Sequence, residues 1–306
     1  MADHLCAPIP RLPAAGELLL TSELPLAIGG CAANTAIDLV RLGVATEVVG
    51  SVGDDPLGRF VVETLRAADV GTAAIRTDPA QGTSGTLIIN VEGEDRRYIH
   101  MTGANDRLRA EHIPLDLVRA ARVLYVGGYL LMAQLDPHEL AEVFREARRA
   151  NVVTVLDVVL PGPGEHGPRL APVLKQTDLF LPNRDEAAAI TGLDDPRAQA
   201  ARFLESGART VVITGGDEGT ILVSDELRLR AGTFSVPFVG GTGAGDAFDA
   251  GYIAGLLAGL DSRGCLEWGS ALGASCVRSV SATQSCFTRR ELDDFLRQHK
   301  LEVESF

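Results

Sequence analysis

The residues best suited to chemistry in this chain are concentrated in one run, positions 239–251, which reads VGGTGAGDAFDAG. Three alternate glycines, Gly241, Gly243 and Gly245, lead into Asp246 and then into a helical stretch of small residues. Glycine tolerates positive φ and lets bare N–H groups come close to a ligand. A helix starting there adds unpaired amides and the positive end of its dipole, which together favour an anion. A carboxylate in that first turn is a poor phosphate ligand but a good base beside one. Phosphoryl transfer to an alcohol needs this pairing: donors for the moving phosphoryl group and an acceptor for the hydroxyl proton. Taken alone, the turn also reads as an ordinary strand-to-helix connection or a dinucleotide fingerprint. The fingerprint belongs after the first strand of a βαβ unit, with an acid about 20 residues further on. Here the turn lies near the C-terminus and precedes only helical sequence.

A second cluster spans residues 28–43, IGGCAANTAIDLVRLG, followed by VVGSVGDDPLG at 48–58. Gly29 and Gly30 let backbone amides approach a polar ligand. Asn34 offers both a donor and an acceptor to sugar-like hydroxyls. The alternative is a plain turn before a helix that packs Ala32, Ala36 and Leu39.

These clusters must be held by a scaffold, and the sequence from about residue 120 alternates strand and helix. Apolar runs at 123–126, 152–156, 179–181 and 211–214 read as buried parallel strands. Residues 137–150 and 196–207 read as helices, each with proline in its first turn and Asp136 or Asp195 as the cap. Gly207 suits the C-terminal stop of the second. That rhythm implies right-handed crossovers and a covered parallel sheet. Two stretches depart from it. Residues 10–26 are apolar without a helical period. Residues 83–100 alternate like exposed strands about a Glu92–Asp95 turn, with β-rich halves at 86–91 and 96–100. Both are expected to form a small subsidiary sheet suited to cover a pocket and exclude water, or else a simple edge hairpin. Residues 247–259 are apolar nearly all round, with a stripe of alanine and glycine, and predict a fully buried helix behind the glycine turn.

The composition sets outer limits. The chain has 306 residues, 46% hydrophobic and 23% charged, which suits one large α/β domain. No run approaches the roughly 18 apolar residues of a membrane span, and the N-terminus lacks a signal pattern, so a cytoplasmic location is expected. The formal charge of −13 argues against nucleic-acid and anionic-membrane partners. An anionic substrate must therefore be held by local dipoles and metal ions. Five cysteines, with no Cys-x-x-Cys, read as reduced thiols.

The glycine turn and the Gly29-Gly30 cluster, in this order, resemble the ribokinase-like (PfkB-type) family of carbohydrate kinases across essentially the whole chain. Arg11-Leu-Pro-Ala-Ala-Gly-Glu17, Gly103-Ala-Asn105, Asn183-Arg-Asp-Glu186 and Thr214-Gly-Gly-Asp-Glu-Gly219 add further matches in register. The resemblance implies a three-layer α/β/α fold with a mostly parallel central sheet and a small β lid from about 10–27 and 83–102. It implies an ATP-dependent kinase acting on a hydroxymethyl of a sugar or sugar-like molecule. Asp246 would then be the catalytic base, with Gly243, Ala244 and Gly245 forming the anion hole. Asp3, Gly30, Asn34 and Asn105 would hold the sugar, while Asn183, Thr214, Gly216 and Gly219 would line the nucleotide. Glu186, three residues after Asn183, would serve Mg²⁺, which keeps several waters. A nucleoside kinase, or a non-catalytic relative with a truncated N-terminus, are the alternatives. An exposed lid edge invites pairing as a homodimer.

Three departures from the family pattern qualify the carry-over. Only Met1 and Ala2 precede Asp3, so the family's opening strand is expected to be absent. Gly240-Gly241-Thr242 replaces the common Asp-Thr-Thr, so monovalent-cation activation is not carried over. Gly29-Gly30-Cys31 replaces Gly-Gly-Lys and removes a cation beside the sugar, so ribose is not implied.

Overall fold

A computed structural model describes residues 1–94 and 96–306. The chain opens with β1 (Ala2–Ile9), β2 (Leu26–Ile28), α1 (Cys31–Arg41), β3 (Gly50–Gly53), α2 (Pro56–Ala67) and β4 (Ile75–Asp78). A hairpin of β5 (Gly85–Val91) and β6 (Arg97–Met101) follows, then α3 (Leu115–Ala120), β7 (Val123–Val126), α4 (Pro137–Arg149) and β8 (Val153–Leu156). Next come α5 (Gly167–Leu174), β9 (Leu179–Phe180), α6 (Arg184–Thr191), α7 (Pro196–Glu205) and β10 (Thr210–Thr214). Then β11 (Thr220–Ser224), β12 (Arg228–Ala231), α8 (Ala244–Leu257), α9 (Ser262–Cys276), α10 (Arg289–Gln298) and β13 (Val303–Ser305) complete the order.

A seven-stranded sheet runs in the order β13-β12-β11-β10-β9-β8-β7. The ladders from β7 to β10 are parallel and those from β10 to β13 antiparallel, so the sheet is mixed. Its strands alternate between two cores. Val212 and Leu222 face the layer of α8, α9 and α10, whereas Val211, Ile213 and Val223 face that of α4, α5 and α7. This period of two makes three layers from apolar runs that carry no polar face of their own. The strands β3 and β4 form a separate parallel pair. Among the described residues, β7 has a ladder partner on one edge only.

The helix boundaries follow local chemistry. Asp136 accepts from the amides of His138 and Glu139 with Pro137 behind it, and Asp195 accepts from Arg197 N with Pro196 in the same place. Gly207 adopts φ +111 where a Cβ would lie 2.8 Å from Lys175 Cα, so it is held by both conformation and space. The helix α8 is buried nearly all round, and glycines set its distance from α9. A Cβ on Gly251 would meet Trp268 O at 2.5 Å, and one on Gly269 would meet Phe248 O at 3.0 Å.

The subsidiary sheet forms, but only partly from the expected segments. Its order is β2-β1-β5-β6, with β1 parallel to β5. Residues 10–25 contain no strand; only Leu26–Ile28 of that stretch joins the sheet. The segment was apolar without alternation, and without a period of two there is no face to bury against a neighbouring strand. In its place the first residues pair: Ala2, Leu5 and Ile9 turn inward, and Pro8 falls at the register break between Cys6 and Ile9, where a missing N–H is tolerated. The β5–β6 hairpin appears where alternation placed it, although position 95 of its turn lies outside the described residues. No helix among the described residues is long and apolar enough to cross a membrane.

The α8–α9 approach yields a direct test. Gly251→Ala should destabilise the protein by about 1–3 kcal/mol through overpacking against Trp268, read as a lowered urea midpoint at unchanged m value. An unchanged midpoint would show that the two helices separate freely.

Candidate active site

Several connections converge at the carboxyl ends of the parallel strands. After β7 come Gly127 and Gly128, after β8 Asp157, after β9 Asn183, and β10 ends at Thr214. The first turns of α1, α6 and α8 point to the same region. Ligands bind in such a crevice because strand ends and helix N-termini meet there.

Asp246 lies in the first turn of α8, half-buried. Asn34 Nδ2 donates to its Oδ2 at 2.7 Å, and Thr35 Oγ1 donates to its backbone carbonyl at 3.2 Å. Both partners come from α1, which fixes the carboxylate from a helix more than 200 residues away in sequence. Burial raises the Asp246 carboxyl above its ordinary value, the nearby Asp3 charge adds to this, and hydrogen bonds from Asn34 and Cys31 oppose it. A carboxylate whose pKa is raised is a stronger base.

The glycine turn is built for this position. Gly243 is left-handed at φ +80 and has no Cβ to strike Ala282 O, which would lie 2.6 Å away. No side chain caps α8. Ala244 N turns back to Gly241 O at 3.2 Å, so one of the three expected donors is engaged. The amides of Gly245 and Asp246 have no acceptor among the described residues. A Cβ on Gly245 would meet nothing within 4 Å, which leaves open space directly above those donors.

Of the expected sugar ligands, Asp3 and Asn34 are brought to this region. Asp3 is buried within β1 and pairs in register with Ala27 and Thr86. Its Oδ1 has no partner, and burial raises its carboxyl. Gly29 makes room for it, since a Cβ there would lie 1.8 Å from Asp3 Oδ2. Gly30 is left-handed at φ +96 and precedes α1. Asn105 sits in a 3₁₀ turn, Gly103–Arg107, where its amide donates to Ser84 Oγ at 3.1 Å; no side-chain contact ties it to Asp246.

On the nucleotide side, Asn183 and Thr214 are joined by a parallel bridge. Asn183 and Glu186 cap α6 reciprocally: Asn183 Oδ1 accepts from Glu186 N, and Glu186 Oε2 accepts from Asn183 N, both at 2.9 Å. Their spacing of three is therefore first a capping box, with Glu186 Oε1 left over. Gly216 and Gly219 flank a short 3₁₀ turn, both at positive φ. The need for glycine at 219 comes from packing, because a Cβ would lie 2.2 Å from Ala231 O.

The sequence reading missed a group behind Asp246. Tyr125 OH donates to Asp249 Oδ2 at 2.9 Å and stands 3.4 Å from Asp157 Oδ2, which also accepts from Gly128 N at 3.1 Å. Burial pushes the Asp157 and Asp249 carboxyls well up, with the charges of Glu186 and Asp246 adding to both and that of Asp157 adding to Asp249. Two signals could have found them. Asp157 directly follows a buried parallel strand, and Asp249 lies three residues after Asp246 on the same helical face. Of two surface grooves, the smaller, of about 290 Å³, is lined in part by Arg184, Gly215 and Gly219 beside the Gly216–Gly219 turn, and the larger, of about 880 Å³, lies elsewhere. The larger opens at the starts of β8, β9 and β10, the end of the sheet opposite to Asp246.

Residues 6–289 match the pfkB family of carbohydrate kinases. The chain belongs to that family. Among similar proteins, an uncharacterized sugar kinase of Archaeoglobus fulgidus is 30% identical over 80% of this chain and 96% of its own. A 5-dehydro-2-deoxygluconokinase of Geobacillus kaustophilus is 27% identical over 89% and 85%. An Escherichia coli protein described as a ribokinase II, solved with ATP and Mg²⁺, superposes at a TM-score of 0.85 with 21% identity over 97% and 96%. That likeness fixes the ribokinase-like three-layer fold.

In this pfkB-family site the crowded carboxylates set a pH dependence. Burial, followed by the charges of Asp246 and Asp185, raises Glu186 to about 7 against the capping bond from Asn183. Between about pH 4.5 and 7 the unfolded chain gives up the Glu186 proton while the folded one keeps it, so stability falls as pH rises through this window. The loss should be on the order of 1–2 kcal/mol after discounting for partial exposure. Glu186→Gln should flatten the fall in melting temperature over that range; an unaltered slope would place the titration elsewhere.

Proposed function

We propose that this chain transfers the γ-phosphoryl group of ATP to a hydroxymethyl group of a sugar or sugar acid, with Asp246 as the base. The observation that carries the reading is the geometry of the α8 start. A carboxylate with a raised pKa stands beside two unpartnered helix amides and open space, and Asn34 fixes its orientation.

The steps follow from what these residues can hold. Asp3 and Asn34 offer a carboxylate and an amide to substrate hydroxyls, across a floor kept open by Gly29 and Gly30. Asp246 takes the proton of the acceptor hydroxyl as its oxygen bonds to the γ-phosphorus and the bond to ADP breaks. The Gly245 and Asp246 amides, at the positive end of α8, offset charge gathering on the transferred group. Asp246 then returns its proton to solvent. Asn183, Thr214 and Gly216 border the nucleotide side.

The donor set fits Mg²⁺: Asp157, Glu186 and Asp249 are hard oxygen ligands whose mutual repulsion a cation would relieve. Bound with ATP, Mg²⁺ neutralises phosphate charge; Glu186 and Asp157 would hold its waters. This matters in a protein of net charge −13, whose overall field opposes nucleotide binding.

The four-stranded sheet serves as the lid in this reading. On one face β6 presents Ile99 and Met101 to solvent, at 63 and 53% exposure, beside Leu87 of β5, the ladder partner of Ile99, at 38%. Such an apolar outer sheet face suits pairing with a second copy, which we include as part of the proposal.

Asp246→Asn should lower turnover by about 10²–10⁴-fold with little change in the KM for ATP, measured as ADP release with a panel of sugars and sugar acids. Its melting temperature should stay within a few degrees of the parent. Full turnover in a folded Asp246→Asn protein would defeat the reading.

A further inference from the structure

Cys31 opens α1 at the point where most of the surrounding groups are carboxylates. Its Sγ and one carboxylate oxygen each from Asp157 and Asp246 all lie within 4.8 Å of one another. The thiol interacts with both acids, and burial followed by the charges of Asp246 and Asp157 holds it well above its ordinary pKa. Three elements converge to make the cluster: the first residue of α1, the residue after β8, and the first turn of α8. None of the three ligand atoms comes from the same local segment, so the arrangement is a product of the tertiary fold.

A second feature points to a missing ligand. Asn34, 3% exposed, donates from Nδ2 to Asp246, yet its Oδ1 is buried with no hydrogen-bond partner. A buried amide oxygen without a donor is costly, and a cation beside Asp246 is one way to satisfy it. Asp157 also carries the outer-shell support that metal carboxylates need: Gly128 N at 3.1 Å and Tyr125 OH at 3.4 Å hold its Oδ2. The starts of α1 and α8 disfavour a cation, but Asp249 and Glu186 add negative charge around the cluster.

We propose that Cys31, Asp157 and Asp246 form a binding site for a thiophilic divalent cation such as Zn²⁺, distinct in its chemistry from the Mg²⁺ that accompanies a nucleotide. Thiolate with two carboxylates suits Zn²⁺, with bonds of about 2.3 Å to sulfur and 2.0–2.2 Å to oxygen. Mg²⁺ takes oxygen and keeps its water, so it has little use for the sulfur. The three ligand atoms must draw together by side-chain rotation. Binding displaces the Cys31 proton to solvent, leaving a thiolate–metal bond and no change in oxidation state. With Asp246 bound, its carboxylate is no longer free to take a proton, so the same cation would silence proton abstraction at that residue.

The test uses the nucleotide-free, sugar-free protein, so its result does not depend on kinase activity. Co²⁺ titrated into the parent should produce a near-ultraviolet thiolate-to-metal absorption that Zn²⁺ abolishes and Mg²⁺ does not. Cys31→Ser should lose the band, and Asp157→Asn should bind about tenfold or more weakly. In the unaltered protein, Zn²⁺ but not Mg²⁺ should protect Cys31 from alkylation, read by peptide mass spectrometry. No band in the parent, a band that survives in Cys31→Ser, or equal alkylation with and without Zn²⁺ would each overturn the proposal. A site that binds Co²⁺ in a protein whose Asp246→Asn variant keeps full turnover would leave the metal proposal standing and remove only the catalytic reading.

Discussion

The bond from Asn34 to Asp246 is the constraint around which this molecule is arranged. It ties the first turn of α8 to α1 across 212 positions of sequence, and it can form only if α8 is buried, uncapped and close to α1. Burial comes from a helix surface apolar apart from Asp246 and Asp249 and from Gly251 and Gly269, which allow α9 to approach without side-chain interference. The absent cap comes from Gly243, whose left-handed backbone delivers the chain into the helix with its amides facing outward. Any shift of α8 along its axis would break the alignment of carboxylate, amides and partner amide together.

Around that bond the protein concentrates negative charge where little water can screen it. The charges of Asp246 and Glu186 raise the pKa of Asp157 and Asp249, and Asp246 raises that of Glu186, while Tyr125 sits between Asp157 and Asp249 as a neutral spacer. The cost to folding is real, since a chain selected only for stability would place apolar residues there. In the proposed reaction, cations and a phosphoryl group would complete the cluster. Cys31 belongs to the same field: its place among the acids gives the site a soft ligand within an otherwise hard oxygen environment.

Segment by segment, the sequence was most informative where one residue type has one physical use. Asp136 and Asp195 before prolines marked helix starts that the coordinates keep. Glycine alternation at 241–245 marked the turn into α8, and period-two alternation marked the hairpin at 85–101. Residues 10–25 misled, because apolar content without alternation names neither a strand nor a face. Asp3 pairs with β2 and β5 within the four-stranded sheet, a placement that no local pattern around it announces. The Asn183–Glu186 spacing was seen, but a capping box and a ligand pair share that spacing, and only contacts separate them.

By itself, then, the order of residues determined the family, the glycine turn into α8 and a carboxylate in the first turn of that helix, because these depend on short-range chemistry: φ at a glycine, a cap at a helix start, a carboxylate one turn in. Tertiary structure alone decided which distant groups stand beside Asp246. Asp157, Asp249, Tyr125 and Cys31 lie on four separate elements, and no local pattern specifies that a strand end, two helix starts and a tyrosine ring will meet. Side chains on different elements become neighbours through packing of whole layers, and that information resides in how α8 fits against α1 and the sheet.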